Sequence, residues 1–268
     1  AERHNWRVDV LHLSPPCQPF SAANTTPNEA RNEMNTAPLL GCSQLIQALR
    51  PRIVTVEEAP GLYGRHKPWF NTLINQFTEL GFSVAWTNLR CSDFGVPQQR
   101  RRFIIIAAAP GETIPRFPRA THDVEECSIA KTLAEMEAFE RGPPVHHLTY
   151  HDTTPVFLRS PRGPQAPYNA LRLAKTLTTS GGDNYHPLGF RPFSIREQAS
   201  LQTFPFDFEF ALNETTGRDH SLKELRTQIG NAVPPKVSAA LYRDIIKGLR
   251  KADAERLGGR KQSVVEID

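Results

Sequence analysis

Short apolar runs alternate with stretches whose apolar residues recur every three or four positions through the first 109 residues, and this rhythm constrains the fold more than any other feature. Val8 to Leu13 predicts a buried strand that runs into the turn Ser14-Pro15-Pro16-Cys17. Leu39 to Arg50 predicts a helix, because Cys42, Leu45, Ile46 and Leu49 share one face and Pro51 ends it. Ile53 to Val56 predicts a second strand, which ends at Glu57-Glu58-Ala59-Pro60-Gly61. Trp69 to Leu80 predicts another helix. Its apolar stripe is Trp69, Phe70, Leu73, Ile74, Phe77 and Leu80, and Gly81 stands where a C-cap glycine belongs. Phe82 to Leu89 alternates as a strand does, and Phe103 to Ala109 reads as a strand buried on both faces. This order predicts a parallel α/β sheet, whose working loops follow the carboxyl ends of its strands.

From Pro110 to Ala170 prolines crowd in and long apolar stretches disappear, apart from one helical piece around Ser128 to Phe139. Ser194-Ile195-Arg196-Glu197 is a capping box that opens a helix running to Phe204. Pro234-Pro235 opens a last long helix whose apolar face is Val237, Ala240, Leu241, Ile245 and Leu249. The charged tail after Leu249 is expected to fray. The organisation predicted is an α/β core over 1–109, a small loop-rich region over 110–190, a return to the core over 191–250 and a charged tail over 251–268.

The formal net charge is +4, a mild excess that suits a polyanionic partner. The four cysteines, Cys17, Cys42, Cys91 and Cys127, form no C-x-x-C pair. A zinc cluster or a disulfide framework is therefore not predicted, and a reducing compartment is. His146, His147 and His151 lack an acid or cysteine pattern that would complete a metal site. No apolar run is long enough to span a membrane, and no signal peptide is recognisable.

Three segments can carry chemistry. Cys17 follows two prolines at a strand-to-loop switch, a place for a nucleophile if its thiolate is stabilised; a buried structural cysteine is the plainer reading. Glu57 follows an apolar strand end, where burial can raise a carboxyl pKa and let it donate a proton; a solvated loop acid is the alternative. In Gln98-Gln99-Arg100-Arg101-Arg102, alternate side chains of an extended chain share a face. Arg100 and Arg102 then point together, toward a phosphate or a carbonyl oxygen, or else form a solubilising patch.

Five segments occur in a telling order: PPCQPFS, EEAPG, QQRRR before FIII, REQASLQTFP, and Gly230-Asn231-Ala232-Val233-Pro234-Pro235. Together, over roughly Val8 to Lys247, they resemble the cytosine-5 DNA methyltransferases. The Glu-Glu-Ala form of the second motif looks like a fungal branch that silences repeated DNA.

The resemblance implies a class I methyltransferase-like, Rossmann-like α/β sheet with a small target-recognition region. It implies methyl transfer from S-adenosylmethionine to C5 of cytosine in double-stranded DNA, through a covalent Cys17 adduct on a flipped-out base. Glu57 would hydrogen-bond and protonate N3. Arg102 would hold the cytosine carbonyl and position Glu57, with Arg100 nearby. Gln18, Ser21 and Gln98 would meet the DNA or the base, and Pro16, Asn231 and Ala232 the cofactor. A eukaryotic chain would be nuclear, another cytoplasmic. An inactive DNA-binding relative, or a methyltransferase acting on RNA, are the alternatives.

Three departures stand out. Glu58-Ala59 replaces the usual Asn-Val after the acid, and a second acid could disturb Glu57 or face away. Only sixteen residues precede Cys17, too few for the family's glycine-rich cofactor loop and ribose-binding acid. Gly258-Gly259 follows no apolar strand and does not replace them. The expectation is a sheet without its first cofactor-binding units, which a missing N-terminal segment or a partner chain would supply. Finally, Arg116, Arg119, Arg159 and Arg162 could meet phosphates or be ordinary surface arginines.

Overall fold

The computed structural model describes residues 8–16, 20, 38–39, 41–140, 169–179, 184–189, 191–210 and 221–262. Of the candidates above, Cys17, Gln18, Ser21, His146, His147, His151, Arg159 and Arg162 lie outside the described residues. The chain divides into two compact units. The first takes in Ala1–Leu89, Arg101–Arg119 and Ala240–Asp268, and the second Arg90–Arg100 and Ala120–Ala239.

In chain order the main elements are β1 (Val10–Leu13), α1 (Cys42–Leu49), β2 (Ile53–Glu58), α2 (Gly61–Gly64), α3 (Lys67–Glu79), β3 (Ser83–Arg90), β4 (Arg101–Ala108), α4 (Ile129–Glu140), α5 (Ile195–Leu201), α6 (Leu222–Asn231) and α7 (Pro235–Gln262).

The sheet of the first unit has the order β1-β2-β4-β3. It corrects the expectation of a parallel sheet. β1 and β2 are parallel, with Val10 beside Ile53, but β4 runs antiparallel to β2, with Ile53 opposite Ala108 and Glu58 opposite Phe103. The cause lies between β3 and β4. Only residues 91–100 join them, and these hold a 3₁₀ turn over Cys91–Phe94. A parallel return needs a crossover of about a dozen residues or more, usually a helix. The chain instead turns back, and β4 enters the sheet against the direction of β2.

All of β2 is buried, as is β4 after Arg101, which explains their unbroken apolar runs. On one face of the sheet Val54, Val56, Phe103, Ile105 and Ala107 pack with Cys42 and Ile46 of α1 and with Phe70, Leu73 and Phe77 of α3. Each fully buried leucine or phenylalanine there contributes roughly 1.5–3 kcal/mol. On the other face Tyr242 of α7 reaches Thr55 of β2, Oη to Oγ1, at 3.3 Å.

The charged stretch after Leu249 does not fray as expected but stays helical to Gln262. Ion pairs hold it. Arg52, just ahead of β2, meets Asp253 at 2.7 Å and Glu112 at 2.8 Å, and Arg256 meets Glu112 at 2.8 Å.

The second unit has its own core, in which Ile129, Leu177, Phe193, Leu201, Leu225 and Ile229 are buried together. Ser194 caps α5 through the expected box. The helix stops at Leu201, short of Phe204, and Thr203 then takes a left-handed conformation at φ 69°. The sequence reading has no counterpart of α6. Its N-terminus is a second capping box, in which Glu224 N–H donates to Ser221 Oγ at 3.3 Å and Ser221 N–H to Glu224 Oε2 at 2.7 Å.

Candidate active site

Side chains alternate across a strand, so Glu57 and Glu58 at the end of β2 must part. Both are buried, 4% and 0% exposed. Glu57 is paired in register with Ile104, and Arg102 lies two residues before Ile104, hence on the same face. The Arg102 Nε–H meets Glu57 Oε1 in an ion pair, while its Nη1 donates to the carbonyl of Arg101 at 2.9 Å. Ser14, just past β1, donates from Oγ to Glu57 Oε2 at 3.3 Å.

This face carries further polar groups. His12 Nε2 lies 2.9 Å from Ser14 Oγ, and its Nδ1 lies 2.8 Å from Thr55 Oγ1. His12 keeps an exposed surface, yet packing around its ring desolvates it enough to lower its pKa, and the nearby Glu57 carboxylate works against that shift.

Glu58 turns to the opposite, helix-covered face. Its Oε2 accepts from the Ala59 N–H at 3.1 Å. Burial pushes its carboxyl up to about 8; the Ala59 N–H opposes this, the Glu57 charge adds to it and Arg102 lowers it. Near neutrality Glu58 is therefore mostly the uncharged acid, and no second full negative charge stands beside Glu57. The Cys42 thiol is likewise pushed up to about 11, first by burial and then by Glu58. It is a core thiol, not a nucleophile.

Phe20, three residues past Cys17, is fully buried. A Cβ on Gly61 would lie 2.0 Å from the Phe20 carbonyl oxygen, so only glycine lets the turn after β2 approach this segment. The chain on the far side of Cys17 is thus anchored against the turn that follows Glu57. Pro16, on the near side, is half-buried.

The other candidates belong to the second unit. Arg100 is 1% exposed and donates to three carbonyls: Leu177 at 3.0 Å, Gly230 at 2.8 Å and Ala232 at 3.0 Å. Gln98 is also fully buried; its amide donates to Leu201 O and Gln202 Oε1 and accepts from Leu177 N–H. Gln202 adds bonds to Ile229 O at 3.0 Å and Ala232 O at 2.7 Å. Arg100 and Gln98, expected as catalytic and base-contacting, have these donors turned into the unit, where Arg100 clamps the Gly230–Ala232 turn directly and Gln98 does so through Gln202. At Gly230 a Cβ would lie 2.7 Å from backbone atoms of Thr178 and Thr179. Asn231 stays exposed, with no side-chain hydrogen bond to the described residues. An exposed amide on a clamped turn suits the polar edge of a cofactor.

His12, Ser14, Thr55, Tyr242 and Gln202 are not among the residues expected from the sequence. A polar residue at alternate positions of an apolar strand, His12 then Ser14, was the available signal.

Residues 2–154 and 140–247 match the family of C-5 cytosine-specific DNA methylases, which is most of the chain. The chain belongs to that family. The methylase is 27% identical to the type II methyltransferase M1.HphI of Haemophilus parahaemolyticus, over 90% of this chain and 69% of the relative. It is 28% identical to DNA (cytosine-5)-methyltransferase 1A of Oryza sativa, over 54% of this chain and 10% of that much longer protein. In fold it is similar to the Entamoeba histolytica methyltransferase EhMeth, with a TM-score of 0.60 at 17% identity, covering 90% of this chain and 78% of the other. The S. pombe Dnmt2 methyltransferase gives 0.58 at 16% identity, with 90% and 78% covered. The reaction of the family is methylation of cytosine at C5 in DNA, with S-adenosylmethionine as its cofactor. Among the described residues of the methylase no helix is long and apolar enough to cross a membrane.

Proposed function

We propose that this chain performs the family reaction with Cys17 as nucleophile, on a cytosine turned out of duplex DNA. The Cys17 thiolate adds to C6, which makes C5 nucleophilic. Glu57 hydrogen-bonds N3 and gives it a proton as the sulfur adds, so negative charge does not accumulate in the ring. Arg102 fixes the Glu57 carboxyl group and directs its remaining donors to the cytosine carbonyl oxygen. When C5 has lost its proton to a base, Cys17 is expelled and the ring regains its aromaticity. S-adenosylmethionine supplies the methyl group as an electrophile. Asn231, Ala232 and Pro16 would hold it, and Arg100 and Gln98 brace the turn that carries Asn231. Gln18 and Ser21 belong to the loop around the flipped base.

The observation that carries this reading is the buried Glu57–Arg102 ion pair, reached by the Ser14 hydroxyl from the segment that leads into Cys17. The test is a duplex with 5-fluorocytosine at the target position, incubated with S-adenosylmethionine. Fluorine cannot leave C5 as a proton does, so the sulfur adduct persists. A covalent complex that disappears in Cys17→Ser is expected. A protein that binds the duplex yet forms no adduct and transfers no methyl group is a DNA-binding relative, and transfer to RNA in preference to DNA also contradicts the proposal.

A further inference from the structure

We propose that His12 feeds protons to Glu57 through the hydroxyl of Ser14. The inference rests on Glu57 being the acid of the methylation reaction.

The need comes from the ion pair. Glu57 is tied to the Arg102 guanidinium, yet it must deliver a proton to N3 as the thiolate adds. Glu57 is only 4% exposed, whereas His12 and Ser14 are exposed. A hydrogen-bonded route from the surface to the buried acid therefore exists: imidazole, hydroxyl, carboxyl.

The direction of the route follows from counting hydrogens. Ser14 has one hydroxyl proton, and it points to Glu57 Oε2 at 3.3 Å. Ser14 Oγ must then accept from His12 Nε2–H at 2.9 Å. In neutral His12 the Nδ1 atom consequently accepts, and the Thr55 hydroxyl 2.8 Å away donates to it. Thr55 Oγ1 in turn accepts from Tyr242 Oη at 3.3 Å. Groups from β1, β2 and α7 line up with every donor aimed toward Glu57. An edge contact between the His12 and Tyr242 rings, centroids 6.0 Å apart, holds the imidazole in this plane. Among the described residues, the charged and titratable groups around His12 are Glu57 of β2, with Arg102 of β4 behind it, and Tyr242 of α7.

The transfer balances. His12 first takes a proton from hydronium at Nδ1, and the Thr55 hydroxyl turns to accept from Nδ1–H and donate to Tyr242 Oη. The Nε2–H bond breaks as a new O–H bond forms on Ser14. The original Ser14 O–H bond breaks as Oε2 of Glu57 is protonated. An imidazolium and a carboxylate become a neutral imidazole and a carboxylic acid. When N3 gives its proton back, the same path runs in reverse. His12 acts through Ser14 and Glu57 and does not touch the base.

The test compares the full-length protein with His12→Phe and Ser14→Ala in single-turnover methyl transfer between about pH 5.5 and 8, the range in which histidine titrates. The wild-type rate is expected to fall as pH rises through the His12 titration. Both variants lose that limb and are slower near pH 6 by on the order of tenfold. Added imidazole restores part of the rate of His12→Ala, whose short side chain leaves room for the ring, and none of Ser14→Ala. A merely structural role would slow both variants equally at every pH, with no rescue. Nuclear magnetic resonance of the His12 ring gives a reading independent of activity: in Glu57→Gln, His12 should protonate at lower pH than in the wild type. Unchanged pH profiles with 5-fluorocytosine trapping intact sink the relay and leave the methylation reading standing. A His12 titration indifferent to Glu57→Gln sinks the relay as well. Loss of trapping in the wild type removes the reading underneath, and the relay with it.

Discussion

Glu57 and Arg102 close an ion pair across two antiparallel strands, with side chains 5% and 10% exposed. Neither charge has enough water around it to stand alone. Arg102→Met leaves the Glu57 carboxylate buried without its cation, and should destabilise the fold by about 3–5 kcal/mol. Urea unfolding measures this. Arg102→Lys keeps a charge but not the planar fork, so it should recover stability better than it recovers methyl transfer.

Glu58 makes stability depend on pH. In the unfolded chain its carboxyl titrates near 4.5, and in the folded one at about 8. The folded state therefore holds a proton that the unfolded state has lost between those values. Glu58 contributes most below the unfolded value, and its contribution shrinks as pH rises toward about 8, at about 1.4 kcal/mol per pH unit at most. The urea midpoint of the wild type should fall across this window relative to Glu58→Gln, which stays uncharged. Parallel curves for the two proteins would contradict the assignment.

Gly61→Ala tests the anchor next to the nucleophile. The added carbon would overlap the Phe20 carbonyl oxygen, so the segment that follows Cys17 has to shift. A displacement of about 1 Å can cost on the order of a hundredfold in rate. The rate of adduct formation with 5-fluorocytosine should drop by that order, far more than DNA affinity does.

Gly230→Ala tests the clamp in the second unit. Its Cβ would press on the backbone of Thr178 and Thr179, an overpacking worth roughly 1–3 kcal/mol. Because Asn231 follows directly, the KM for S-adenosylmethionine should rise as well. Arg100→Met, which removes three carbonyl bonds without adding bulk, should give the same pattern.

Strong periodicity made much of the first unit legible. β2, β4 and α3 follow their apolar patterns to within a few residues, because there burial alone selects the conformation. The direction of β4 was not legible, since FIII reads the same in either orientation and the deciding fact is the short link before it. α6 was missed because only Leu225, Ile229 and Gly230 are buried along it, too few to mark a stripe, although its Ser221 cap was readable. In the candidate site, the motifs pointed to Glu57 and Arg102, which the fold pairs. They pointed equally to Arg100, whose neighbours Leu177, Gly230 and Ala232 are far away in sequence. His12 and Ser14 stand out as alternate polar residues in an apolar run, but their partners Thr55 and Tyr242, from β2 and α7, are not legible in the sequence.

The assignment of residues 90–100 to the second unit bears on any attempt to build chimeras. Gln98 and Arg100 are tenons of that unit, seated in carbonyls contributed by Leu177, Leu201, Gly230 and Ala232. A graft that exchanges residues 120–239 alone would strand a guanidinium among foreign backbone. Swaps between relatives should therefore carry both segments, although more than a dozen residues of chain separate them.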